Sequence, residues 1–252
     1  MNAAMIDPGL HLQCLNDHGI FTIDELNLLS KVVKPNLSVL HLNVRSFNKS
    51  FDELKNIFDS LPFSFDFLGC SETFINSLDL DRVEILEYHL ITDNRTFSCG
   101  GGVVLYVKRD QTFKVRDDLK LPDIENIWIE STSLAIAVIC KPPKFPNQAF
   151  LDKLKEIVHK ICLSKRRCLI MRDMNINTFS RSKMSKDYLN SIRSEGFNPH
   201  IFEGTHITEI TQRSIFIRIL LRFPQVAVSQ WKLQTICLCF QLCISSSYTS
   251  FS

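Results

Sequence analysis

The sequence predicts a mixed α/β protein in which two packed β-sheets are flanked by helices. Three observations carry that expectation. Short apolar runs with the two-residue alternation of strands come in neighbouring pairs, and longer segments between them place apolar residues at helical spacing. The 252 residues suffice for one substantial core or at most two small ones. No internal repeat with a period of roughly 20–50 residues is visible, so a solenoid or propeller is excluded.

In chain order, Ile23–Leu29 reads as a short helix capped by Thr22. Lys34-Pro35-Asn36 breaks the chain before the first strong strand, Leu37–Leu42, which ends at Asn43-Val44-Arg45-Ser46. Between Asn48 and Leu61 the apolar residues Phe51, Leu54, Ile57, Phe58 and Leu61 recur at helical spacing, and Pro62 closes that helix. Phe65–Cys70 is the next strand and runs out into Ser71-Glu72-Thr73. Tyr88–Thr92 follows; then Asp93-Asn94-Arg95 and Gly100-Gly101-Gly102 bracket a loop ahead of the buried strand Val103–Val107. Ile127–Glu130 and Leu134–Cys140 are strands around a Ser-rich turn, and Lys141-Pro142-Pro143 cannot continue the ladder. Asn147 is expected to cap a helix reaching about Leu163, with Phe150, Leu151, Leu154, Ile157, Val158 and Ile161 on its apolar face. Cys168–Met171 is a buried strand that breaks into two polar side chains, Asp173 and Asn175. A helix from Ser185 to Glu195, ended by Gly196, comes next.

Composition narrows the class further. An apolar fraction of 45% and a charged fraction of 22% are those of an ordinary soluble globular protein. No stretch reaches the length of a membrane span, and Met1–Pro8 lacks the basic start and apolar run of a signal peptide. The expectation is an intracellular protein, nuclear or cytoplasmic and not secreted. Nine cysteines are scattered through mostly apolar runs without a Cys-x-x-Cys pair, so they read as small hydrophobes in a reducing compartment. Residues 1–209 hold 25 basic and 27 acidic groups, whereas residues 210–252 hold four basic and no acidic ones. The main body is thus no basic nucleic-acid binder by net charge; any such contact needs a local patch, for instance Lys165, Arg166, Arg167 and Arg172.

The candidate site lies at strand ends. Asp173 and Asn175 at i and i+2 after a strand are, by themselves, ordinary turn formers. Two further strands also end in polar groups, Asn43 and Glu72. In α/β proteins ligands bind at such strand mouths, and three of them raise the pair above a turn.

Leu40-His41-Leu42-Asn43-Val44-Arg45-Ser46, Ser71-Glu72-Thr73, Gly100-Gly101-Gly102-Val103-Val104-Leu105-Tyr106, Lys141-Pro142-Pro143 and Asp173-Met174-Asn175 occur in one order at consistent spacings. Together they resemble the endonuclease/exonuclease/phosphatase family, and specifically the apurinic-type endonuclease domain of non-LTR retrotransposons. The likeness covers roughly residues 37–208. Residues 1–36 are similar to the leader preceding that domain, the domain itself spans 37–209, and 210–252 form an aberrant tail. The resemblance implies a four-layer α/β sandwich, incomplete at its C-terminus. It implies Mg²⁺-dependent hydrolysis of a phosphodiester by an in-line water, with Mn²⁺ as an alternative metal and DNA as partner. A hard Mg²⁺ takes oxygen ligands and keeps several waters, so one or two carboxylates suffice. By that resemblance Glu72 binds the metal and Asn43 lies beside both metal and scissile phosphate. Asp173 positions or deprotonates the attacking water, and Asn175 holds phosphate and nucleophile in line. Thr205 contacts substrate, and Asn94 and Arg95 belong to a loop near the DNA.

The chain departs from the pattern in places that bear on activity. Tyr-Arg-Pro-Pro of the family is Cys140-Lys141-Pro142-Pro143 here, and a thiol cannot supply the Tyr hydroxyl. Gly-Asp-Phe-Asn is Arg172-Asp173-Met174-Asn175, with a long side chain where the backbone normally approaches closely. The Ile-Asp motif expected about a dozen residues past Thr205 reads Ser214-Ile215-Phe216-Ile217-Arg218, and the closing Ser-Asp-His is missing; His200 and His206 do not match it. Residues 210–252 have neither Gly nor acid and carry Cys237-Leu238-Cys239-Phe240-Gln241-Leu242-Cys243 before a Ser run, the composition of a frameshifted or read-through tail. The function expected is therefore an impaired Mg²⁺-dependent DNA-nicking endonuclease of retroelement origin, without the reverse-transcriptase part. The alternatives are a catalytically dead remnant of that domain and a small-molecule phosphatase of the same family.

Overall fold

A computed structural model of the chain describes residues 37–60, 64–76, 78–94, 100–132, 134–164, 166–173 and 181–199, together with three short strands at 213–215, 219–222 and 242–244. The expected helix at Ile23–Leu29 lies outside these residues. Strand β1 (Val39–Asn43) leads into helix α1 (Phe47–Ser60), and β2 (Phe67–Ser71), β3 (Tyr88–Asp93) and β4 (Val103–Lys108) follow. These four strands form a mixed sheet in the order β1-β2-β4-β3, with β1 and β2 parallel.

The second sheet draws on β5 (Phe113–Val115), β6 (Glu125–Ser131), β7 (Leu134–Cys140), β8 (Arg167–Asp173), β9 (Asn198–Pro199) and β11 (Ile219–Arg222). Its order is β5-β6-β7-β8-β11-β9, with β7 and β8 parallel and the other pairs antiparallel. Two short strands, β10 (Arg213–Ile215) and β12 (Leu242–Ile244), pair with each other. Ile219–Arg222, past the last acidic residue of the chain, therefore lines up along β8, Ile219 opposite Met171 and Arg222 opposite Cys168.

The two-residue period of the strands explains the layering. On β6, β7 and β8, Ile127, Ile129, Ile136, Val138, Leu169 and Met171 join a core shared with the first sheet. Their alternating neighbours Trp128, Ala135, Ala137, Ile139, Cys168 and Ile170 join a second core with Phe150, Leu154 and Ile157 of helix α2 (Asn147–Leu163) and Tyr188 of helix α3 (Lys183–Ser194). Helix α1 covers the other side of the first sheet through Phe47, whose ring meets Tyr106 at 6.4 Å. The result is helix, sheet, sheet, helices: the four-layer α/β arrangement expected. Gly69 sits on the inner face of β2, where an added Cβ would stand 2.9 Å from Val138 Cγ2 and 3.0 Å from Met171 Sδ. Only a hydrogen at that position lets the sheets approach this closely.

The elements differ from the expected ones mainly at their ends. β8 does not break at Asp173 but runs through it, because its ladder with β7 continues to the pair Cys140–Asp173. Asn147 does not cap α2; it is the first helical residue, and Pro146 takes the cap position, its carbonyl accepting the Phe150 N–H at 3.0 Å. α3 starts at Lys183, earlier than expected, because Ser182 accepts the Ser185 N–H and caps it. None of the described helices is long and apolar enough to cross a membrane.

Candidate active site

The polar strand ends gather at one end of the sandwich. Across the first sheet the ladder aligns Asn43 with Ser71, Ser71 with Val103 and Val103 with Asp93, so the last residues of β1, β2 and β3 form a single row. Across the second sheet Glu125, Cys140 and Asp173 form a corresponding row. Asp93 links the rows: its carboxylate accepts the Asn126 N–H at 2.8 Å and pairs with Lys120 Nζ at 2.9 Å. Asn43, Glu72 and Asn94 thus lie at the same end of the molecule as the backbone of Asp173.

The loops after β1 and β2 are laced together by backbone hydrogen bonds. Val44, Ser46 and Phe47 donate to the carbonyls of Ser71, Glu72 and Thr73 at 3.0, 2.8 and 2.8 Å. Thr73 and Phe74 in turn donate to Gly102 and Gly101 at 3.3 and 3.0 Å. Those bonds hold Arg45, Ser46, Glu72 and Phe74 in the left-handed region, with φ of 47°, 108°, 54° and 52°. Each such residue costs on the order of 1–3 kcal/mol, and strain of this kind collects where a site must be held in one geometry. The glycine triplet serves the same end: φ is +106°, +80° and +84° at Gly100, Gly101 and Gly102.

The oxygens around this knot are short of partners. Ser71 Oγ, Thr73 Oγ1 and Asn94 Oδ1 are buried and find no hydrogen bond among the described residues. A Cβ on Gly102 would stand 2.7 Å from Thr73 Oγ1 and 3.1 Å from Asn94 Oδ1, so only glycine fits against both oxygens. Buried polar atoms without partners are uncommon and call for a ligand, a water or an ion. Asn43 Oδ1 accepts the Arg45 N–H at 3.2 Å, an Asx-type bond that orients its amide. Hydroxyl, amide and carboxylate oxygens are the hard donor set that Mg²⁺ takes, and Glu72 supplies a carboxylate. The residues present therefore fit a divalent cation, although the described residues hold no cluster of three His, Cys, Asp or Glu side chains.

Of the residues singled out in the sequence, Asn43, Glu72 and Asn94 are brought to this end, with the backbone of Asp173 in the facing row. Arg95, Asn175 and Thr205 lie outside the described residues. Sequence reasoning passed over Ser71, Thr73 and Asp93 as roles of their own, although each flanks a residue it chose. The basic patch is split along β8: Arg172 directly precedes Asp173, whereas Arg167 is the first residue of the strand. Arg166 lies just before β8, at the opposite end from Asp173, where it pairs with Glu130 at 2.8 Å and donates to the Thr132 carbonyl.

Two packed mixed sheets, helices on both outer faces and a polar mouth at the strand ends define the endonuclease/exonuclease/phosphatase fold, and the chain has that fold. The endonuclease domain of TRAS1, a telomere-specific non-LTR retrotransposon, matches with a TM-score of 0.51 at 10% identity, over 72% of this chain and 84% of that one. A 3'-5' exonuclease, NExo from Neisseria meningitidis, matches with a TM-score of 0.53 at 14% identity, over 73% and 86%. The 3' phosphatase NExo from Neisseria, bound to a product DNA hairpin, matches at 0.51 and 13% over the same shares. No family model and no characterised protein sequence matches the chain. These three solved structures are an endonuclease domain, an exonuclease and a phosphatase.

Proposed function

We propose that the chain is a divalent-metal-dependent phosphodiesterase of DNA-nicking type, weakened by the loss of its proton-transfer partners. The observation that carries this is the gathering at one strand mouth of Asn43, Glu72 and three buried oxygens without a partner among the described residues, opposite the row that ends in Asp173. Glu72 and the Asn43 amide oxygen would hold the metal, Mg²⁺ or Mn²⁺. When bound, it supplies Lewis-acid stabilisation of charge on the phosphoryl oxygens. Asp173 takes the proton of the attacking water, and Asn175 keeps that water in line with the phosphorus. Thr205, Asn94 and Arg95 contact the DNA around the scissile phosphate. Cys140 stands where a hydroxyl would donate to the developing charge and does not replace it.

A second reading, an inactive remnant, is favoured by one specific observation. Residues 210–252 hold no Asp, Glu or His, and it is in this stretch that the resemblance places the Asp–His pair that would protonate the leaving group. A general acid or base contributes about 10²–10⁴-fold, so its loss leaves slow turnover if the rest of the site is intact. Plasmid nicking in Mg²⁺, comparing the chain with Glu72→Ala, separates the two. Slow nicking that Glu72→Ala abolishes supports the phosphodiesterase; equal rates in both proteins, indistinguishable from buffer, leave the remnant.

A further inference from the structure

Two side chains on the rim of the mouth are held in costly backbone conformations yet face solvent. Phe74, two residues past Glu72, is 40% exposed with φ +52°. Bulky side chains rarely adopt that region. Its N–H is fastened to the Gly101 carbonyl, and its ring edge lies over Gly100, where an added Cβ would be 3.5 Å from Cε1. A fold seeking only to close this loop would place glycine or asparagine here and would not leave an aromatic face in water. Arg45, two residues past Asn43, is exposed at φ +47° and has no ion pair to a described residue. The two loops are the ones laced together through Ser46–Glu72 and Phe47–Thr73, so cation and aromatic are carried on one rigid knot.

With 27 acidic against 25 basic groups over residues 1–209, long-range attraction to a polyanion is not available to this body. Affinity for a nucleic acid then has to come from local contacts, and an exposed aromatic ring and an exposed guanidinium on two bonded loops provide the two that a nucleotide offers.

We propose that Phe74 and Arg45 form a nucleotide clamp, Phe74 stacking on an unpaired base and Arg45 holding a neighbouring phosphate, so that the preferred substrate is a strand with an unstacked base. This rests on the phosphodiesterase reading above and assigns its substrate class. The test is fluorescence anisotropy with two labelled single strands in Ca²⁺, one of thymidines and one of the same length built from abasic sugar-phosphates. Phe74→Ala should weaken the thymidine strand about tenfold and leave the abasic strand unchanged. Arg45→Gln should weaken both and flatten the slope of log affinity against log salt by about 0.7. Phe74→Trp should keep the affinity, and its indole emission should be quenched by the thymidine strand only. Phe74→Gly relieves the backbone, so it should melt no lower than the parent while binding like Phe74→Ala. That variant guards against a loss caused by misfolding.

Equal effects of Phe74→Ala on both strands, or none on either, overturn the clamp and leave the phosphodiesterase reading standing. Binding of neither strand by the parent chain also overturns the clamp, whereas the phosphodiesterase reading stands or falls on plasmid nicking.

Discussion

The Asn126 N–H donates to the Asp93 carboxylate at 2.8 Å, and that bond joins the site-bearing edge of one sheet to the site-bearing edge of the other. Asn126 is itself pinned: its side chain accepts from the Leu121 N–H and donates to the carbonyls of Leu121 and Ile124. Asp93→Ala leaves the Asn126 N–H without its acceptor, which costs about 1–3 kcal/mol. Urea unfolding should read that loss, and the Asn126 amide should exchange faster. Lys120→Met, which removes only the half-exposed partner of Asp93, should cost under about 1 kcal/mol. Equal costs for the two variants would mean that the ion pair, and not the backbone bond, holds the mouth.

Gly69 makes a sharper demand on packing. Gly69→Ala drives a methyl to 2.9 Å from Val138 Cγ2 and 3.0 Å from Met171 Sδ, and overpacking of this kind costs about 1–3 kcal/mol. Val138→Ala alone opens a cavity and destabilises as well. Combined, the two changes should cost clearly less than their sum, since the methyl fills the space the valine leaves. Additive losses in denaturant melts would place the sheets further apart than described.

How much of this was legible in the sequence follows from where the information is local. The strands and helices could be placed because Ile127, Ile129, Ile136 and Val138 alternate with Trp128, Ala135 and Ala137, a period that only a strand covered on both faces would keep. Asn43 and Glu72 stood out because polar residues interrupt apolar runs there. What stayed hidden depends on pairing across the sheets. Nothing near Asp93 announces that it will meet Asn126, and nothing in Ser71 or Thr73 distinguishes a hydroxyl left without a partner from one turned to solvent. The N-terminus of α2 was misplaced because Asn147 is a good capping residue in isolation, whereas Pro146 before it already fixes the turn. The three-residue strand β5 is too short to show a period at all.

Acid should act on this fold partly through Arg116. Its guanidinium donates to both oxygens of Asp118, at 2.7 Å each, and also pairs with Glu130. Hydrogen bonding to Arg116 holds the Asp118 carboxyl below its usual range, against a small opposing effect of burial. A carboxyl whose folded-state pKa is depressed contributes stability above its unfolded pKa of about 4, and that contribution fades as pH falls towards the lower folded value. Asp118 is largely exposed, so solvent screening keeps the contribution under about 1 kcal/mol. Asp118→Asn should therefore be slightly less stable than the parent at pH 7, and the two unfolding curves should converge as pH drops below about 4. A gap that widens on acidification would contradict the pairing.

Thr73 offers the most direct separation of stability from function. Its hydroxyl is buried without a partner among the described residues, beside Asn94 Oδ1 and the bare face of Gly102. Thr73→Val keeps the shape and removes an unsatisfied polar atom, a change that is neutral or stabilising by up to about 1–3 kcal/mol if the oxygen serves nothing. If the oxygen helps to hold the metal's water shell or the phosphate, the same variant should need more Mg²⁺ for half-maximal nicking while its urea midpoint stays level or rises. Gly102→Ala attacks the same space from the other side: a methyl at φ +84° and 2.7 Å from Thr73 Oγ1 should lower both the midpoint and the rate. In the double variant the valine methyl replaces the hydroxyl and leaves the crowding in place, so the midpoint should not recover. A Thr73→Val protein with an unchanged Mg²⁺ dependence and a raised midpoint would reduce this oxygen to a packing defect and shift the weight of metal binding to Glu72 and Asn43 alone.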